Sequence, residues 1–443
     1  MVSITPAYNL KVVLKETGIA ADTLRAWERR YGLPMPQRSA GGHRLYSQRD
    51  IETIKWLMKR QGEGLSISRA VDLWNEQIAS GTDPLADLAQ TASPSTVPAP
   101  YKSADTTLDL LRADWVEACL NFSESTGEQI LNQAFSLFPV EAVCIEVLQK
   151  GMSEIGEQWY ENRASVQQEH FASSLAMRRL DALLSASPAP TRNQTVLVGC
   201  PPEEWHTFTP LLLALLLRRR GWNVIYLGAN VPADQFSVTV KTIKADLVVL
   251  VAQQLITAAT LQQTALLLSS QDIPVAFGGR VFSIHPELPA SFSGYFLGHD
   301  LLAALDQIEV LLTKKLRPPQ PRSASPAHIA AYQAFVSKRG QIELTLREWI
   351  EPLAMAPENI KTGIHFLGEN ITAALQLGDM SYVSSEVEWL KVLLQFHQAE
   401  PEQLIHFMET YSAAVNKNIN GQGEPIFAWF ATEVEKLTAK NGS

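Results

Sequence analysis

Between residues 195 and 298 the chain alternates short apolar runs with longer stretches of helical character. The runs are TVLVGC (195–200), NVIYLG (223–228), LVVLVA (247–252), PVAFGG (274–279) and YFLG (295–298). Each is too short for a core helix and is followed by enough chain for a crossover, so the pattern predicts a parallel, doubly wound sheet. Sheets of that kind bind ligands outside the carboxyl ends of their strands, at the point where strand order reverses. The side chains to watch therefore lie on the loops after the strands. The first loop, PPEEWHTF, carries Glu204 and His206; the second carries Gly228 and Asn230; the fourth carries Gly278 and Gly279. Glycines there let backbone approach a large ligand. A histidine on such a loop is either a metal ligand steadied by a carboxylate on its other nitrogen or an exposed loop residue. Spacing alone favours the second.

The rest of the chain divides around this region. Two loose stretches, 80–105 and 315–326, are rich in Pro, Ser, Thr or Ala, and a shorter break runs over 185–194. The expected layout is a DNA-binding head (1–78), a linker (79–105), a helical bundle (106–190), the parallel sheet (191–314), a second linker (315–326) and an all-helical segment (327–443). The overall charge of −9 argues against a nucleic-acid binder, but it is unevenly spread. Residues 1–69 hold 12 Lys and Arg against 6 Asp and Glu, leaving 25 against 40 for the remainder. A basic head on an acidic body points the head, and only the head, at a polyanion. The three cysteines, Cys119, Cys144 and Cys200, are too few and too scattered for a disulfide framework or a zinc site. The opening residues lack the pattern of a signal peptide, and the longest apolar runs, such as LLLALLL at 211–217, fall far short of a membrane span. The expectation is a cytoplasmic protein with no membrane contact.

The head reads as short helices with a turn between them. Asp22 is the expected N-cap of a helix TLRAWERRYG, which Gly32 ends; a turn-rich stretch with Arg38, His43, Arg44 and Tyr46 follows, and another helix begins near Arg49. The order TLRAWERRYGLPMPQRSAGGHRLYSQRDI closely resembles the winged helix-turn-helix of MerR-type transcription regulators, over roughly residues 7–76. The resemblance implies that the helix carrying Thr23, Arg25, Trp27, Arg29, Arg30 and Tyr31 enters the major groove of a double-stranded operator. It also implies that a wing carrying Arg38, His43, Arg44 and Tyr46 meets the phosphate backbone, with Trp27 serving packing more than readout.

Residues 106–185 have helical periodicity and suit a four-helix bundle. Bundle followed by parallel sheet and histidine loop resembles the cobalamin-binding module of methionine synthase, of corrinoid proteins and of the photosensory CarH/LitR-like regulators. The family's lower-ligand motif, D-x-H-x-x-G, is matched here by Glu204 to Thr209, with Glu for Asp and Thr for Gly. The resemblance implies that His206 binds cobalt from below and that the displaced nucleotide tail lies near Gly228, Ala252, Gln253, Gly278 and Gly279. Ala252 and Gln253 stand where relatives have a Ser or Thr hydroxyl. In the bundle, Trp159, Val166, Glu169 and His170 reproduce the W-x6-V-x2-E-H spacing that caps the upper, 5′-deoxyadenosyl side of adenosylcobalamin in CarH-like regulators. Those regulators place a histidine after the capping Trp, to take the upper cobalt position after light breaks the Co–C bond; Tyr160 stands here.

The C-terminal segment has apolar faces on Phe335, Ile342, Leu346 and Ile350 and on Ile364, Leu367, Ile371 and Leu375, which predict five to seven helices. Its histidines, His328, His365, His397 and His406, are single candidates for haem ligation that are more often packed or solvated. In size, position and helical content the segment resembles the globin-like bilin-binding domain of photocobilins, which implies a bilin. With no cysteine in 327–443 the bilin would be held non-covalently. A dimerisation or partner domain is the alternative.

Together these readings predict a non-enzymatic, cobalamin-dependent and light-responsive transcription regulator, in which the adenosylcobalamin state sets oligomerisation and operator binding. Two rivals remain: a corrinoid methyl carrier, and a regulator that keeps the module fold without cobalamin and acts through protein partners.

Overall fold

The computed structural model describes residues 5–38, 44–62, 66–79, 83–85, 107–161, 163–314, 318–350, 357–396 and 401–441. The chain forms two compact units, Met1–Asp105 and Thr106–Ser443.

In the first unit, strand β1 (Tyr8–Asn9) leads into helix α1 (Leu10–Thr17), and α2 (Ala21–Tyr31) follows after a short turn. The side chain of Asn9 accepts from Val12 N–H at the start of α1, and Gly18 and Gly32, both left-handed, end the two helices. Asp22 is not the N-cap of α2. Ala20 holds that position without a side-chain bond, and Asp22 lies in the first turn, where its charge favours the helix N-terminus. Strands β2 (Gln37–Arg38) and β3 (Arg44–Tyr46) complete an antiparallel sheet in the order β1-β3-β2. Helices α3 (Gln48–Gly62) and α4 (Ile67–Ala79) close the unit. Val13, Leu24, Trp27, Tyr46, Ile54, Leu57 and Trp74 share its core, with Trp56 edge-on to Trp74.

The second unit opens with four antiparallel-type helical rods. These are α5 (Leu108–Leu120), α6 (Glu124–Leu137), a rod built from α7 (Val140–Val143), a π-helical stretch (Cys144–Gln149) and α8 (Lys150–Tyr160), and α9 (Val166–Ser185). Trp115 is fully buried at their centre, and a Cβ on Gly151 would come within 2.9 Å of its ring, so the close approach of α8 to α5 requires glycine there. The N-terminus of α9 is fixed by a capping box between Ser165 and Gln168.

The sheet follows the expected order of elements. Strands β4 (Thr195–Gly199), β5 (Asn223–Tyr226), β6 (Leu247–Val251), β7 (Val275–Gly278) and β8 (Tyr295–Phe296) are all parallel, in the order β5-β4-β6-β7-β8. Strand order reverses at β4, so the loop after β4 lies at the switch point. Side chains alternate across the sheet. Val196, Val198 and Val249 join the core shared with the bundle, while Leu197, Val248 and Leu250 join the core of the opposite face. Helices α10 (Phe208–Arg219) and α14 (Leu301–Thr313) belong to the bundle side; α11 (Ala233–Ile243) and α12 (Leu255–Ser269) cover the other, and a short α13 (Arg280–Ile284) follows β7. Helix α10 carries the LLLALLL run, and all of residues 211–217 are buried between sheet and bundle.

Among the described residues, the C-terminal region carries five α-helices: α15 (Pro326–Trp349), α16 (Pro357–Leu377), α17 (Val383–Phe396), α18 (Pro401–Ile419) and α19 (Glu424–Asn441). The stretch 315–326 looks like a boundary in sequence, yet the apolar core passes across it. Phe335, Leu346, Leu367 and Phe430 belong to the same buried cluster as Leu255 and Phe277. Helix α16 lies on α12, with Gln376 Nε2 donating to Ala259 O at 2.8 Å, and Arg322 N–H donates to Ala290 O at 2.7 Å. Among the described residues, no helix is long and apolar enough to cross a membrane.

Candidate functional site

The loop from β4 to α10 is held more tightly than its exposure suggests. Glu203 and Asn230 both adopt left-handed backbone conformations without being glycine, which stores strain that the surroundings must hold in place. They hold one another: Glu203 N–H donates to Asn230 Oδ1 (2.8 Å), and Asn230 N–H donates to Glu204 O (2.9 Å). The loop thereby sends the Glu204 side chain inward, where it is 0% exposed. Its Oε1 accepts from His206 N–H at 2.9 Å and lies 2.7 Å from His206 Nδ1. Its Oε2 accepts from Gln253 N–H (2.7 Å) and from Thr257 Oγ1 (2.6 Å).

Burial by itself would raise the Glu204 pKa; the hydrogen bonds from His206, Thr257 and Gln253 outweigh it and hold the carboxyl below its ordinary range. The carboxylate then fixes the proton of His206 on Nδ1. Its hydrogen bond and charge push the His206 pKa up, against burial, and Glu169 adds to the rise while Arg280 opposes it. Glu169 belongs to α9 of the bundle and Arg280 to α13 beyond the sheet, so both halves of the unit bear on this one imidazole. The His206 side chain is 58% exposed, and its Nε2 has no protein partner among the described residues.

The other expected tail-pocket residues line the same strand ends. Ala252 is buried, and its N–H donates to Gly278 O. Gln253 is already spent on protein contacts: its N–H bonds Glu204, and its Oε1 accepts from Arg280 N–H at 3.0 Å. Gly279, with φ of +127°, is required by the turn itself, since a Cβ would sit 1.9 Å from Ala252 O. Gly228 also has positive φ, but a Cβ there would meet nothing within 4 Å, so the space beside it is open. The sequence reading missed Thr257, whose hydroxyl completes the Glu204 cradle, and Trp205, which is 68% exposed beside His206.

The bundle contributes a looser group. Trp159, near the end of α8, is 37% exposed, and Val166, at the first position of α9, is exposed as well. His170 Nδ1 lies 2.8 Å from Glu169 Oε2, yet the His170 side chain is 74% exposed. Tyr160 is also exposed.

This donor set fits a cobalt corrinoid. Among the described residues, no three His, Cys, Asp or Glu side chains are arranged to hold a metal ion. A corrin ring brings its own equatorial nitrogens and asks the protein for a single axial donor. His206 offers one: an imidazole oriented by a buried carboxylate on Nδ1, which leaves Nε2 to serve as donor. The cysteines are no rivals, since burial pushes the thiols of Cys119, Cys144 and Cys200 up to about 12.

In the first unit, Thr23, Arg25, Arg29 and Arg30 lie exposed along α2, with Tyr31 half-buried beneath Arg30. Trp27 packs, as its resemblance to the family implies, whereas the expectation that Tyr46 meets the phosphate backbone does not hold. Trp27 is 5% exposed and Tyr46 0%, both within the apolar core. Tyr46 Oη donates to Glu28 Oε1 at 2.6 Å, and Arg44 Nε donates to Glu28 Oε2 at 2.9 Å. Glu28, passed over in the sequence, thus ties β3 to α2. His43 and the side chain of Arg38 lie outside the described residues.

The MerR HTH family regulatory protein profile matches residues 8–77, and two B12 binding domain profiles match residues 111–184 and 194–300. The HTH-type transcriptional repressor CarH of Myxococcus xanthus is 30% identical over 241 residues, covering 54% of this chain and 77% of CarH. The repressor CarA of the same organism is 31% identical over 245 residues, covering 55% of this chain and 75% of CarA. The monomethylamine corrinoid protein of Methanosarcina barkeri aligns in structure over 46% of this chain and 100% of its own, at 15% identity and a TM-score of 0.40. At 30–31% identity, with about three quarters of CarH and CarA spanned, the chain belongs to their family, the MerR-type, cobalamin-binding, DNA-binding transcription regulators.

Proposed function

We propose that this protein is a cytoplasmic repressor whose occupancy by adenosylcobalamin sets its homo-oligomeric state, and through it the affinity for a double-stranded operator. The observation that carries the cobalamin half is the Glu204–His206 pair, a carboxylate-anchored imidazole with Nε2 free at the switch point of a parallel sheet. When bound, cobalamin would supply a cobalt centre that takes a protein nitrogen donor and carries an exchangeable group. His206 would hold the cobalt, with Glu204 keeping its proton on Nδ1. Open space beside Gly228 and the strand ends at Ala252, Gln253, Gly278 and Gly279 receive the tail. Trp159 and Val166 cover the upper side with apolar surface, and Glu169 and His170 offer hydrogen bonds to an adenosyl ribose or base. Because both halves bear on one ligand, its loss biases the bundle toward a different arrangement, and assembly follows.

In the head (1–78), Thr23, Arg25, Arg29 and Arg30 read and steer along the groove, and the later basic residues Arg38, His43 and Arg44 serve phosphate binding. Trp27 and Tyr46 hold β3 to α2 from inside. Light acts on such a protein only by removing the upper ligand. Tyr160 in the place of histidine is a poor cobalt donor, so the illuminated form here lacks a second histidine from that position. The regulator reading is favoured over a methyl carrier by the basic head and by Trp159, which shields the face a methyl donor would need. For the C-terminal region, a non-covalent bilin finds less support than a structural role, since its aromatic interior, Phe335, Tyr411 and Phe430 among it, is packed within the core shared with the sheet.

The test is the absorption spectrum of the full chain with adenosylcobalamin, dark and illuminated, for wild type and His206→Ala. Wild type is expected to bind with a histidine-coordinated spectrum that His206→Ala lacks. Absence of bound corrinoid in wild type sinks the reading, and binding without a light-induced change removes only its photosensory part.

A further inference from the structure

The row of strand ends carries a second polar group, on the far side of the sheet's switch point from β5. Gly279 turns the chain after β7 and delivers Arg280 as the first residue of α13. The backbone there is tied to the histidine loop: Arg280 N–H donates to Gln253 Oε1 at 3.0 Å, and Gln253 N–H donates to Glu204 Oε2 at 2.7 Å. Arg280 is exposed, and among the described residues its guanidinium pairs with no carboxylate, although His206 and Glu386 both feel its charge. Ser283 follows three positions on, and residues so spaced share a helix face. Ser283 Oγ lies 3.0 Å from Nδ1 of His299, on the loop after β8, and Phe296 meets the His299 ring edge-on with centroids 5.2 Å apart. The neighbouring carboxylate, Asp300, is turned to its own helix, where it accepts from Ala303 N–H at 2.7 Å.

Whichever way the bond between Ser283 and His299 runs, the pair keeps a donor for a third group. If serine donates, the imidazole presents Nε2–H; if the imidazole donates, the hydroxyl proton is free. An unpaired guanidinium beside such a pair is the donor set of a phosphate site. Strand β7 lies two strands from β4, about 10 Å at the usual spacing, so this set stands away from the cobalt ligand and not on it. Cobalamin carries its phosphodiester at such a remove, between the corrin side chain and the nucleotide. We propose that Arg280, with Ser283 and His299, forms the anchor for the phosphodiester of the displaced nucleotide tail, and so selects complete cobalamins over corrinoids that lack the nucleotide. This rests on the cobalamin site proposed above.

The experiment titrates hydroxocobalamin and, separately, aquacobinamide, which has no phosphate or nucleotide, into the full chain, followed by visible absorption. Arg280→Ala is expected to bind hydroxocobalamin about tenfold more weakly, the worth of a charge-assisted hydrogen bond, and cobinamide within about twofold of wild type. Removing the Arg280 charge also acts on His206, but equally for both ligands, so the ratio of the two affinities isolates the tail. Ser283→Ala is expected to narrow that ratio about threefold. Arg280→Lys, which keeps the charge without the planar fork, is expected between wild type and Arg280→Ala. The histidine-coordinated spectrum stays the same in these variants, whereas His206→Ala loses it with both ligands. An unchanged ratio in Arg280→Ala, whether both affinities fall together or neither falls, overturns the proposal and leaves the His206 site standing. A wild type that binds neither corrinoid removes both.

Discussion

The two walls of the candidate cofactor site are built to different standards. Below, Glu204 is sealed from solvent and holds four hydrogen-bond contacts, two on each oxygen, so His206 has one orientation before any ligand arrives. Above, Trp159, Val166 and His170 stand exposed, and the one polar contact among them, Glu169 to His170, lies in solvent. A preorganised wall contributes affinity because it loses little freedom on binding. A wall without internal partners contributes through the ligand alone, and so relaxes when the ligand changes. That asymmetry suits the sensor proposed above, in which the lower side would retain the cofactor and the upper side would register what the cofactor carries.

Glu204→Ala should disturb the molecule most. It strands the Thr257 hydroxyl and the His206 and Gln253 N–H groups, each buried donor costing about 1–3 kcal/mol, and it frees the imidazole to rotate. Corrinoid affinity is expected to fall by about ten- to a hundredfold, as for other partners of a ligating histidine, with a lower thermal midpoint of the apo protein. Hydroxocobalamin titration and a melting curve check both, and unchanged values would mean the lower wall is not preorganised. Acidification tests the same wall. The raised His206 pKa means a proton competes with cobalt at higher pH than it would for a free imidazole. Histidine coordination should therefore weaken on acidification, by about tenfold per pH unit once below that pKa, as followed by the visible spectrum.

Trp159→Ala should act only on the upper side. Adenosylcobalamin is expected to bind several-fold more weakly, roughly the worth of one partly buried aromatic contact, with hydroxocobalamin unaffected. Equal losses for both ligands would place Trp159 outside the adenosyl face. The smallest effect is expected for His170→Ala, at most about twofold in adenosylcobalamin affinity, because an exposed pair such as Glu169–His170 contributes little.

The parallel sheet was legible because each strand is a short apolar run closed by a loop, a local pattern. Glu204 and His206 stood out by their strand-end loop and by resemblance to a lower-ligand motif, but the reason Glu204 is effective was not legible. Its hydroxyl donor, Thr257, sits 53 positions away and meets it only through the fold. Tyr46 was misjudged because a tyrosine near arginines reads as a phosphate contact, whereas its ring fills the core and its hydroxyl is taken by Glu28. The stretch 315–326 reads as a flexible tether by composition. Composition says nothing about the apolar faces of α12 and α16, which carry the core past it.

Helix α10 has a practical consequence for anyone wishing to divide the molecule. Seven consecutive residues, 211–217, are apolar and buried because sheet and bundle press on them from both sides. A fragment beginning after residue 190 would turn one of those sides to water as a contiguous hydrophobic band, the kind of surface that drives nonspecific association. Its clumping in solution would then imitate ligand-controlled assembly while reporting only on a missing neighbour.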